Sequence, residues 1–200
     1  DYGINNIFSI SEAIKKLGYE PEVITNPKDL KSVKKIILPG VGAFSAGIKA
    51  LNDSGFSEKI ISLVESGIPI LGICLGLQML FTRSFEYGSH SGLALIEGEV
   101  KSLEHCLGYS NQKIPNIGWR NLEINRFNSL YQNIDKKDYL YFIHSFFVDP
   151  TNSEIVTAKC FYQNMKINAS IKKDNIFGVQ FHPEKSGEIG LNILNNFLKC

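Results

Sequence analysis

Residues 68–73 form an apolar, β-branched run that passes without a linker into a helical stretch over 75–81. A strand that is apolar at successive positions is buried on both faces and needs a layer above and a layer below it. Upstream, strand and helix alternate. Ile7, Ile10, Ile14 and Leu17 fall at helical spacing, and Gly18 follows where a helix end favours positive φ. Residues 22–25 and 35–38 read as short strands, the second halted by Pro39-Gly40. Helices are expected over 43–52 and 57–66, the latter closed by Gly67. Downstream, 99–103, 122–124, 139–148, 154–162, 166–172 and 176–181 are mostly extended, and a last helix over 187–198 turns Ile189, Ile193, Leu194 and Phe197 inward. The pattern predicts an α/β fold: a central, mostly parallel sheet flanked by helices, with an additional antiparallel portion. Neither repeat nor linker interrupts it, so one domain is expected over 1–200. Asp1-Tyr2-Gly3 already reads as a strand-to-loop transition, and a strand is expected ahead of it.

Composition narrows the function by exclusion. The net charge is +1, with both signs interspersed, and no basic stripe or tail points to nucleic acid. The apolar run at 68–75 is broken by Pro69 and Gly72 and is too short to span a bilayer, so no membrane is expected. The sequence does not open with a basic segment followed by an apolar stretch, so secretion is not expected. Cys74, Cys106, Cys160 and Cys200 form no CxxC pair and share no spacing with the histidines. Neither a metal site nor a disulfide framework is expected, and a reducing cytoplasm suits the chain better.

The chemistry gathers around one cysteine. Gly72-Ile73-Cys74-Leu75-Gly76 lies at a strand–helix junction, the place for a tight turn that lifts one side chain above the sheet edge. Glycines flank it because a side chain at either position crowds that turn, and a helix N-terminus favours thiolate over thiol. Taken alone, Cys74 reads better as a small core residue; the GxCxG frame reverses that preference. A thiolate needs a base. His182 and Glu184, in Phe181-His182-Pro183-Glu184, follow an apolar strand and precede the last helix. His182 is fitted to carry the proton and Glu184 to fix its tautomer. In isolation each reads as an ordinary loop residue. Acyl transfer also needs oxyanion donors. The Leu75 amide and the glycine-rich turn Pro39-Gly40-Val41-Gly42 are the candidates, although a plain turn explains the latter as well.

These motifs, with DYGINNIFS, GICLGLQMLFTRS, GLALIEGEV, KIPNIGW, YFIHSFF and FHPEKSG in that order, resemble the class I (triad) glutamine amidotransferases over nearly the whole chain. Within them the closest resemblance is to the glutaminase subunits of imidazole glycerol phosphate synthase. The resemblance implies a flavodoxin-like amidotransferase fold, no cofactor, glutamine as substrate and Cys74, His182 and Glu184 as the triad. It implies oxyanion amides from Gly40, Val41, Gly42 and Leu75, and substrate contacts from Gln78, Ser145 and Phe146. The implied partner is a (β/α)8-barrel cyclase in a heterodimer, met by Asn6, Trp119, Tyr141 and Lys185. For Trp119, core packing is a serious rival. The chain departs from the family pattern at Ile4-Asn5-Asn6, Ala94, Asn116, Arg120 and Phe146. Those at Asn6, Asn116 and Arg120 are expected to face the partner. They keep a second reading open, a related subunit feeding ammonia to another synthase such as a sugar amidotransferase. A silent regulatory module on the same fold is a third, disfavoured by the intact triad.

Overall fold

A computed structural model describes residues 1–4, 6–108, 113–135 and 137–200. Asn5, in the departing loop, lies outside them. In chain order the first half runs α1 (Ile7–Lys16), β1 (Ile36–Gly40), α2 (Phe44–Asp53), α3 (Phe56–Glu65), β2 (Ile70–Cys74) and α4 (Leu75–Met79). There follow β3 (Phe81–Ser84), β4 (His90–Ser91), β5 (Ile96–Ser102), α5 (Leu103–Leu107), β6 (Asn116–Asn121) and β7 (Glu123–Ile124). The chain closes with β8 (Tyr139–His144), β9 (Phe146–Pro150), β10 (Val156–Tyr162), β11 (Met165–Lys173), β12 (Ile176–Val179) and α6 (Gly187–Lys199).

The main sheet has the order β1-β2-β12-β11-β10-β7. Its first three strands are parallel, and β11, β10 and β7 continue it antiparallel. The antiparallel portion expected from the sequence is therefore largely one half of the same sheet. Two smaller sheets, β4-β3-β5-β9 and the ribbon β6-β8, complete the fold. Alternate residues of the main sheet serve two cores. Ile36, Leu38, Ile70 and Ile171 pack with α2, α3 and α4, whereas Leu71, Ile73, Ala169 and Val179 pack with α1 and α6. No helix among the described residues is long and apolar enough to cross a membrane.

Several boundaries differ from the sequence expectation. Residues 22–25 join no ladder; the Ile24 carbonyl accepts from the Asp1 ammonium instead. Extended backbone becomes a strand only with a partner, and β1 is the edge of the sheet. Pro39-Gly40 does not halt β1, which pairs through Pro39↔Ile73 and Gly40↔Cys74. An edge strand tolerates proline because its missing N–H falls on the unpaired side. The helix after Cys74 ends at Met79 rather than near 81, since Phe81 already pairs with Ile96. The extended stretch 139–148 is broken at Ser145, and Leu103 opens α5 instead of closing a strand. Residues 116–121, read as a motif without an assigned element, form β6.

Candidate active site

β2 brings Cys74 to the end of the parallel strands, and α4 starts at the next residue. Cys74 has φ 54° and ψ −108°, a conformation that costs a side-chain-bearing residue about 1–3 kcal/mol. The flanking glycines make the turn possible. A Cβ on Gly76 lies 1.8 Å from the Leu38 carbonyl oxygen, and one on Gly72 lies 2.7 Å from Leu77 Cα. Behind the elbow, the Tyr2 hydroxyl donates to the Pro39 carbonyl at 2.7 Å. Burial, then the negative charge of Cys74, push that phenol's pKa up.

His182 enters from the loop after β12 and lines the same cavity as Cys74. Its Nδ1 lies 2.8 Å from Glu184 Oε1, with both side chains buried. Burial opposes a charge on His182, but the hydrogen bonds and negative charges of Cys74 and Glu184 outweigh it and raise the imidazole to about 9. Such a group stays protonated at neutral pH and can answer a negative charge that forms beside it. The loop is tied to β8: the His182 amide donates to the Tyr141 carbonyl at 2.9 Å. The Ser186 hydroxyl donates to the His182 carbonyl at 2.6 Å and accepts from the Tyr141 amide at 3.0 Å.

A cavity of about 300 Å³ opens over these groups. Val41, Gly42, Cys74, Leu75, Gln78, Ser145, Phe146, His182 and Lys185 line it, so it gathers most of the residues that the sequence singled out. Gly42 has φ 92°, and Leu75, as the first residue of α4, has an amide without an intrahelical acceptor. Gly40 sits behind the wall; a Cβ there meets the Tyr2 hydroxyl at 2.7 Å and Leu75 Cβ at 2.9 Å. Gln78 is buried and donates to the Phe146 carbonyl at 3.0 Å.

Three further residues went unread in the sequence. Glu86, buried on the cavity wall, accepts from the Phe44 amide at the start of α2. Gln180 donates from Nε2 to Cys74 Sγ at 3.6 Å. His144 bridges Asn116 and the Phe146 carbonyl, each at 2.9 Å. Its pKa falls to about 4 because burial and then the charges of His182 and Arg120 outweigh the hydrogen bond to Phe146. The only sequence signals were proximity: Gln180 two residues before His182, His144 one before Ser145.

The expected partner-facing residues divide. Trp119 is 49% exposed and meets Tyr141 edge-on at 5.8 Å, so core packing is not its role. Asn6 is half-buried at the start of α1, where its Oδ1 accepts from the Ser9 hydroxyl, and Lys185 is exposed beside the cavity. Asn116 corrects the expectation: it is fully buried and turned inward to His144. Arg120 lies over the Tyr162 ring at 5.4 Å.

Comparison with known proteins agrees with this geometry. The family profile described as Glutamine amidotransferase class-I matches residues 1–200. Imidazole glycerol phosphate synthase subunit HisH of Geobacillus sp. (strain WCH70) is 41% identical over 98% of this chain and 93% of its own. Subunit HisH 1 of Campylobacter jejuni (strain RM1221) is 46% identical over 100% of this chain and 97% of its own. Among solved structures, a glutamine amidotransferase superposes with TM-score 0.75 at 19% identity, covering 98% and 94% of the two chains. PurLQS from Thermotoga maritima superposes with TM-score 0.75 at 22% identity, covering 100% and 95%.

Proposed function

This chain belongs to the class-I glutamine amidotransferase family, and from that premise we propose how its residues divide the work of a glutaminase subunit. Its activity is the release of ammonia from glutamine for an imidazole glycerol phosphate synthase, in histidine biosynthesis. One observation carries the assignment of roles: Cys74, strained on its elbow, and His182, which Glu184 holds at 2.8 Å, line one cavity.

The Cys74 thiolate attacks the carboxamide carbon of glutamine. The Leu75 amide and the Gly42 turn hold the oxyanion. His182 gives its proton to the departing ammonia, leaving a γ-glutamyl thioester, and then takes a proton from the water that releases glutamate. Glu184 holds the imidazole in the tautomer that directs Nε2 at this work. On the cavity wall the Glu86 carboxylate suits the ammonium of the amino acid, and Gln78 with the Ser145–Phe146 backbone suits its polar head.

The partner is a (β/α)8-barrel cyclase docked on the ribbon face that carries Trp119 and Tyr141, with Asn6 and Lys185 at its margin. In support, Ile117↔Ile143 and Trp119↔Tyr141 form one column, and all four side chains are at least partly exposed on the same side. The test is glutamate release by the purified chain, alone and with a barrel cyclase and its ribonucleotide substrate. Strong stimulation, abolished by Cys74→Ala, is the expected result. Cys74-dependent release that the cyclase never stimulates would assign the subunit to a different synthase.

A further inference from the structure

We infer that Gln180 is a further catalytic residue of this site: its side-chain amide donates a hydrogen bond to the Cys74 thiolate, and a relay through Gln78 holds the amide in the donating orientation. The inference rests on the glutaminase reading for its purpose, but not for its geometry. Gln180 is fully buried on the loop between β12 and His182, with Nε2 3.6 Å from Cys74 Sγ.

An amide has two ends, and only one of them suits a thiolate. Hydrogen-bond accounting decides which faces the sulfur. The Phe146 backbone carbonyl can only accept, so the Gln78 group 3.0 Å away must be its nitrogen. That nitrogen carries a second hydrogen, directed at the Gln180 side chain at 3.3 Å, which must therefore present Oε1. Gln180 Nε2 is then left to face Cys74. The reversed amide would set nitrogen against nitrogen at Gln78 and oxygen against thiolate at Cys74. Two unfavourable contacts thus replace two favourable ones.

The relay extends to the ribbon. The same Phe146 carbonyl accepts from His144 Nδ1 at 2.9 Å, so Nε2 of the neutral imidazole accepts from Asn116 Nδ2, also at 2.9 Å. The Oδ1 of Asn116 is buried with no hydrogen-bond partner among the described residues. Among the described residues, His144 is what holds Asn116 in this orientation.

The charge on a buried thiolate needs more than one attractor, because water no longer supplies them. His182 is one. The Tyr2 hydroxyl is committed to the Pro39 carbonyl, and Glu86 on the cavity wall and Glu184 behind His182 bring negative charge. Gln180 supplies a neutral donor that persists whatever proton His182 has moved. It acts on attack, by holding sulfur in the thiolate form. It acts again when the tetrahedral adduct collapses, the C–S bond breaks and its electron pair returns to sulfur.

The experiment alkylates Cys74 with iodoacetamide in wild type, Gln180→Leu and Gln180→Asn, following the modified peptide by mass spectrometry across neutral and alkaline pH. Leucine removes the donor and keeps most of the volume, and asparagine withdraws the amide by one methylene. Both variants are expected to alkylate about tenfold more slowly at neutral pH, the deficit closing in alkali where the thiolate forms unaided. Their kcat/KM for glutamine is expected to fall by a similar factor or more, carried by kcat rather than KM. A wild-type alkylation rate at neutral pH, in either variant with a native circular dichroism spectrum, overturns the inference. Alkylation consumes no glutamine. A wild type that released no glutamate with any partner would sink the glutaminase reading and leave the bond from Gln180 to sulfur measurable.

Discussion

All five residues of β2 are buried, whereas along β8 buried Leu140, Phe142 and His144 alternate with the more accessible Tyr139, Tyr141 and Ile143. Both strands end at the same cavity. This chain supplies β2 with neighbours on both faces and both edges, so the strained Cys74 is over-determined by its own fold. The ribbon β6-β8 is covered on one face only. Its inner face holds the site by two routes: the Tyr141 backbone to His182 and Ser186, and His144 to the Phe146 carbonyl. Cys74, the proposed nucleophile, is thus fixed internally, while the groups around it hang from a ribbon whose outer face is exposed. A partner that seats on Trp119 and Tyr141 has a short mechanical route to the base and to the Gln78–Gln180 relay.

The sharpest way to break this comparison is at the elbow. Cys74→Ala is expected to lower glutamine hydrolysis by roughly 10⁴-fold or more, as loss of a covalent nucleophile does elsewhere. Denaturant unfolding should show a protein that still folds cooperatively, because alanine keeps the strained backbone and loses the contacts of Sγ with Gln180 and His182. Retained hydrolysis would remove Cys74 from the chemistry. Next in size is a pair of glycine substitutions, read by the same unfolding measurement. Gly76→Ala sets a Cβ 1.8 Å from the Leu38 carbonyl oxygen and is expected to cost roughly 3 kcal/mol or more. Gly118→Ala, in β6, meets nothing closer than Arg120 Nη1 at 3.7 Å, leaving only its φ of 128° to strain it. About 1–2 kcal/mol is expected there. Equal losses at the two sites would show that the elbow is no more constrained than the ribbon.

Trp119→Ala reverses the contrast. Half of this side chain is already in water, so its loss should change the stability of the isolated chain by about 1 kcal/mol at most. The affinity for the proposed barrel cyclase should fall by about 30-fold, close to 2 kcal/mol, if Trp119 is an aromatic anchor at the centre of that interface. Calorimetric titration decides. An unchanged affinity, or a large loss of stability in the chain alone, would return Trp119 to a packing role.

The elbow was legible because several constraints coincide there. A two-face-buried strand, a glycine on each side of Cys74 and a helix start leave little alternative, and the structure assigns each glycine a contact that a side chain would clash with. His182 and Glu184 share one short loop and could be paired by chemistry. Gln180 and Glu86 could not be read, because their meaning lies in what they face: an amide before a histidine becomes informative only when its nitrogen is 3.6 Å from the sulfur. Asn116 misled for the same reason. Period-2 alternation fixes that neighbours on β6 point to opposite faces, but not which face is the inner one. The strand at 22–25 failed for want of a partner, since propensity describes one chain segment and a ladder needs two.

The smallest effect separates the two regions by pH. His144, at the inner end of β8, titrates at about 4 when folded against 6.5 in an unfolded chain. Between those values the unfolded state binds the extra proton, so stability falls as pH drops below 6.5. Across neutral pH the contribution of His144 alone falls by less than about 1 kcal/mol, and the fall deepens towards pH 4. His182, at the elbow, is raised instead, to about 9. The folded state holds its proton more tightly, so this contribution is complete below pH 6.5 and disappears as pH rises through about 9. Stability should therefore peak near pH 6.5, with an acid limb owned by the ribbon and an alkaline limb owned by the elbow. Urea unfolding across this range tests the ownership. His144→Asn should flatten the acid limb and leave the alkaline one. Cys74→Ala, which removes one of the two partners that raise His182, should shorten the alkaline limb and leave the acid one. If either substitution altered both limbs equally, the ribbon and the elbow would be one cooperative electrostatic unit, and cover on the outer face of Trp119 and Tyr141 would have to act on the thiolate and the imidazole together.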